Sequence, residues 1–72
     1  MKKSKSQLIN EILEALRKNY SKYFNAFKED LKAIEEPLYK WNYYEILGYY
    51  QEWKKGNYSL SMIVYILTGF EI

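Results

Sequence analysis

The chain has no cysteine and no histidine, a single proline, three glycines and one arginine among eleven basic residues. Each shortage excludes something. Without cysteine there are no disulfides, no thiolate nucleophile and no cysteine-built zinc site. Without histidine the commonest metal ligand and the usual general base near neutral pH are missing. Arginine is the preferred bidentate reader of guanine and phosphate, so Arg17 standing alone argues against sequence-specific DNA recognition, as does a net charge of only +2. Long apolar runs are absent too. Met62–Leu67 falls far short of the ~18–20 residues that span a bilayer. The opening MKKSKS has the charge of a signal-peptide start, but Asn10, Glu11 and Glu14 stand where the apolar run should follow. A cytoplasmic protein is expected, with no membrane contact, cofactor or metal.

Seventy-two residues make one domain. At this size a hydrophobic core supplies roughly 3–5 kcal/mol, and both usual staples, disulfide and zinc, are gone. That leaves dense aromatic packing, oligomerisation or both. Abundant Lys, Ile, Asn and Tyr against one Arg and one Pro also point to an AT-rich coding sequence, as in a low-GC bacterium, phage or plasmid.

What is present centres on Leu38–Trp53, LYKWNYYEILGYYQEW, in which seven of sixteen residues are aromatic. Upstream, residues 1–5 read as a flexible basic tail and Ser6 as a helix N-cap. From there to Glu35, a helical repeat places Ile9, Ile12, Leu13, Leu16, Tyr20, Tyr23, Phe24, Phe27, Leu31 and Ile34 in one arc about 120° wide. The phase does not slip, which predicts a continuous helix over 6–35, its Leu8–Glu35 stretch about 42 Å long. Glu35-Glu36-Pro37 ends it, because the residue before proline is pushed out of the helical region, and Pro37 then suits the first turn of a second helix over 37–55. Gly56 is a natural left-handed stop, Ser59 caps a third helix over 59–68, and Gly69 stops that one. MIVYIL also has strand composition, but a lone strand would find nothing to pair with in this chain. The expected fold is therefore all-α with three helices: one long N-terminal helix covered by a hairpin of helices two and three. In it, helix two covers Tyr20–Ile34, and helix three covers Ile9–Leu16 through Leu60, Ile63, Val64 and Leu67.

Two features are left over. Trp41, Tyr44 and Gly48 share one face of helix two, amid polar residues. The bland reading is a kink at Gly48 that turns the aromatics inward. The functional one is a partner-binding seat, with Trp41 and Tyr44 as anchors and Lys40, Gln51 and Lys55 as its polar rim. On helix three, Met62, Ile66 and Phe70 lie opposite the core-facing residues. They either complete the core or form an oligomer contact with a second copy.

Catalysis would have to be built from Asp, Glu, Lys, Tyr and Ser, and no phosphate loop, Ser–Lys dyad or carboxylate cage is visible. Glu35 and Glu36 read as solvated turn residues, and Asp30 as a partner for a Lys or a Tyr. A helix-turn-helix reading fails because its recognition helix, SLSMIVYILT, has no Arg, Lys, Asn or Gln to reach a base or phosphate. The expected function is a non-enzymatic protein-binding module of inhibitor, adaptor or immunity type, acting by steric occupation of a partner protein. The alternatives are a nucleic-acid accessory protein using Lys2, Lys3, Lys5, Lys18, Lys22, Lys28 and Lys32, and an oligomerising structural protein.

Overall fold

Ser4, not Ser6, opens the first helix. Its hydroxyl accepts the Gln7 backbone N–H at 3.2 Å, and its own N–H donates to Gln7 Oε1 at 2.7 Å. This reciprocal capping box satisfies two backbone donors at once. The computed structural model describes residues 2–19 and 24–71, with side chains described over 2–19 and 31–71. Among these residues are four α-helices and no strand: α1 (Lys5–Asn19), α2 (Phe24–Lys40), α3 (Tyr43–Lys54) and α4 (Leu60–Thr68). MIVYIL is helical. No described helix is long and apolar enough to cross a membrane.

The expected three-helix arrangement with one spine is thus replaced by four helices. α1 and α2 are separate and lie against one another. The longest dimension of the fold is 34 Å, shorter than the about 45 Å that a straight helix over 6–35 would need. A long apolar stripe cannot cover itself, whereas two shorter helices cover each other and shrink the exposed surface of a small domain. Tyr20 and Tyr23 lie outside the described residues, as do the side chains of Phe24, Phe27 and Asp30.

The second boundary also moves. Pro37 does not start a helix but lies within α2, which runs on to Lys40. Leu31, Ile34 and Leu38 are all buried on one face of α2; continuing the helix past Pro37 keeps Leu38 in the core, and the proline forfeits a single backbone hydrogen bond near the helix end. The break comes instead at Trp41-Asn42. Asn42 is the N-cap of α3, its Oδ1 accepting the Glu45 N–H at 2.9 Å. At the other end of α3, Gly56 (φ 83°) is left-handed; its N–H donates to Trp53 O at 3.0 Å, and that of Asn57 to Glu52 O at 3.0 Å. This is the Schellman pattern. Ser59 caps α4, and Gly69 (φ 76°) ends it.

The core joins Leu8, Ile9, Ile12 and Leu16 of α1 with Leu31, Ile34 and Leu38 of α2, Ile46 and Tyr50 of α3, and Leu60, Ile63, Val64 and Leu67 of α4. The cover is exchanged relative to the expectation. α3 packs chiefly on α1, and α4 chiefly on α2. With α1 and α2 side by side, both cover helices can straddle them.

Candidate functional site

α3 presents its buried side to α1 and its outer side to solvent, and Gly48 sits on that outer side. The helix passes through Gly48 without interruption and with no left-handed φ. A Cβ added there would meet nothing within 4 Å, so no neighbouring element requires the glycine. The missing side chain leaves an open groove of about 370 Å³ lined by Tyr44, Glu45, Gly48, Tyr49, Glu52 and Tyr58. Tyr44 is 74% exposed, its ring edge-on to Tyr43 at 5.3 Å between centroids. Tyr49 and Tyr58 stack across the turn after α3, 6.2 Å apart and 29° from parallel. Glu52 accepts from the Asn57 side-chain amide at 2.7 Å, which fixes its carboxylate beside the groove. Neither Glu45 nor Glu52 forms an ion pair with a basic side chain among the described residues.

Of the partner-binding residues expected from the sequence, Tyr44 and Gly48 come together here. Gln51 and Lys55 are exposed around α3, and Lys40 is exposed at the end of α2, but none of the three lines the groove. Trp41 is at the α2–α3 joint, half-buried against the core, where its indole N–H donates to Leu67 O at 2.7 Å. That satisfies one of the last four carbonyls of α4, a group the helix cannot satisfy itself. Tyr49, Tyr58, Glu45 and Glu52 are groove residues that the sequence reading missed. A signal for two of them was present: Glu45 and Glu52 are seven residues apart, two helical turns on one face.

On α4, Met62, Tyr65 and Ile66 are 47%, 53% and 39% exposed, while Phe70 packs against the core. The expected oligomer contact therefore divides, with Met62 and Ile66 outward and Phe70 inward.

A second cluster ties the N-terminal segment to α3. The Lys3 ammonium donates to Tyr50 Oη at 3.0 Å and to Glu11 Oε2, and the Tyr50 hydroxyl donates to the same Glu11 oxygen at 2.8 Å. Lys54 approaches Glu11 from the other side at 4.0 Å and lies over the Trp53 ring at 4.6 Å. The hydrogen bond from Lys3 holds the Glu11 carboxyl below its ordinary value, and the same bond raises the Lys3 ammonium. Lys5 in turn donates to Tyr39 O near the C-terminus of α2 at 2.5 Å, where a cation is favoured by the helix dipole. These side chains fasten the N-terminal segment and α1 to α3 and to the end of α2.

No protein family, curated protein or solved structure matches the chain.

Proposed function

We propose that the chain is a non-enzymatic protein-binding module of inhibitor, adaptor or immunity type, cytoplasmic in a low-GC bacterium or its phages or plasmids. It acts by covering part of a partner protein. One observation carries the reading: a glycine that no packing contact requires stands mid-helix between the exposed Tyr44 and the half-buried Tyr49, although glycine costs about 1 kcal/mol there relative to alanine. Tyrosine supplies rigid contact area with little entropy to lose, which suits a docking face. The groove is open and shallow, so a small molecule would stay largely wet, whereas closed ligand sites bury ~70–90% of their ligand. Tyr44 is the anchor of this face, while Trp41 belongs to the scaffold at the α2–α3 joint. Lys40, Gln51 and Lys55 form a polar rim further out.

The test is a nuclease-treated pull-down from a low-GC bacterial lysate with wild type, Tyr44→Ala and Gly48→Leu, each checked for helicity. A protein held by wild type and lost by both folded variants is the expected result. Retention by both variants would overturn the assignment of this face. Binding that disappears only on nuclease treatment would favour the lysine-based nucleic-acid alternative, whose affinity falls steeply with salt.

A second reading, self-association, is favoured by the exposed Met62, Tyr65 and Ile66 on α4. Sedimentation equilibrium at high micromolar concentration tests it. A strict monomer would remove it.

A further inference from the structure

We infer that the α3 groove takes a cation, specifically the guanidinium of an arginine carried by the partner protein. The inference rests on the binding reading above and names the chemistry of the partner. The groove combines three tyrosine rings with two carboxylates, and no basic side chain lines it among the described residues, in a chain whose net charge is positive.

The fold itself shows what this combination holds. At the α1–α3 contact, a tyrosine (Tyr50) and a carboxylate (Glu11) meet and their cations come from the chain: Lys3 at 5.4 Å and Lys54 at 5.6 Å from the ring centroid, both also within 4.0 Å of the carboxylate. The Tyr44–Glu45–Tyr49–Glu52–Tyr58 groove repeats the aromatic and acidic halves of that arrangement with its charge facing outward. Ring faces attract cations through their quadrupole, and a carboxylate beside the ring adds the charge. Arginine fits better than lysine because its planar group can stack on a ring while its N–H fork engages a carboxylate in two parallel hydrogen bonds. Gly48 completes the seat: with no side chain at the floor, a planar group can lie against the helix backbone. The positions agree with this use. Glu45 is in the first turn of α3, where the helix dipole favours a carboxylate, and Glu52 is oriented by Asn57.

The experiment is amide and aromatic-ring NMR of the full chain titrated with acetyl-Gly-Arg-Gly-amide at fixed ionic strength. The citrulline peptide, which keeps the shape of arginine without its charge, and the leucine peptide are titrated in parallel. The expected result is saturable shifts at Tyr44, Gly48, Tyr49 and Tyr58 with the arginine peptide. The citrulline and leucine peptides should bind at least fivefold more weakly, and Glu45→Gln/Glu52→Gln should abolish the difference between arginine and citrulline. Gly48→Leu, which improves helix propensity and fills the seat, should remove the shifts while the helix stays folded. Equal binding of the citrulline or leucine peptide would overturn the cation while leaving the groove as a docking face. So would an absence of saturable shifts, and if a partner were still lost on Tyr44→Ala, only the arginine inference would fall. Shifts confined to the Glu11–Glu14 surface would overturn the location.

Discussion

Gly48 and Glu11 are the residues whose roles the sequence left most open, and both can be tested alone. At Gly48 an alanine enters free space on a regular helix. Gly48→Ala should raise stability by about 0.5–1 kcal/mol, read from the urea midpoint at unchanged m-value. A loss of stability would mean that the backbone needs the glycine and that the seat is a by-product of packing. At Glu11 the folded carboxyl titrates below its ordinary 4.5 because Lys3 hydrogen-bonds it. The stability gained is thus fully present above about pH 4.5 and is lost as pH falls through the depressed value. Lys3, raised above its ordinary 10.5 by the same bond, contributes fully below that value and loses its contribution as pH rises through the raised one. Urea midpoints across pH 2.5–7 should therefore fall more steeply in wild type than in Glu11→Gln, the two curves converging at the acid end. Parallel curves would remove the Lys3–Glu11 bond as a source of stability. The partners of Glu11 were not legible in the sequence, because Lys3 and Tyr50 lie eight and thirty-nine positions away and only folding brings them together.

At the scale of the elements, the apolar repeat correctly placed Ile9, Ile12, Leu16, Leu31 and Ile34 on buried faces among the described residues. It misread where the helices stop. Leu60, Ile63, Val64 and Leu67 are all in the core, as their spacing requires, and Ser59, Gly56 and Gly69 punctuate the chain as their chemistry dictates. The errors fall at the Ser6 cap, at Pro37 and in the continuity of the expected spine. Pro37 is a weaker boundary signal than the apolar face it lies in, and the Asn42–Glu45 spacing is the N-cap signal that marks the actual break. Asn42→Ala should cost about 1 kcal/mol through the lost cap. Trp41→Phe keeps most of the ring and leaves Leu67 O without its indole donor, which should cost roughly 1 kcal/mol. Amide exchange should quicken first in α3 for the former and at the C-terminal turn of α4 for the latter. Uniform acceleration in both variants would mean that the joint has no local role.

For the whole molecule, thirteen buried apolar residues among those described, from four helices, make one core, and a 72-residue chain has only a few kcal/mol to lose. Ile12, fully buried at the centre of α1, is the position to test. Ile12→Ala should cost about 2–5 kcal/mol, which is enough to abolish a cooperative thermal transition near room temperature. A sharp melt close to that of wild type would point to stabilisation from outside the monomer, and the exposed face of α4 would then be the first place to look. Helical class, the buried faces of α1 and α4, and the turn chemistry of Gly56, Ser59 and Gly69 were determined by the sequence alone, because each follows from the side-chain repeat or from local backbone chemistry within a few residues. Tertiary structure decided which helix covers which, that Trp41 turns inward to a carbonyl twenty-six residues away, and that Tyr58 joins Tyr44 and Tyr49 around Gly48. Those outcomes depend on how the chain reverses between elements, and a periodic pattern is the same whether the next helix continues the line or folds back upon it.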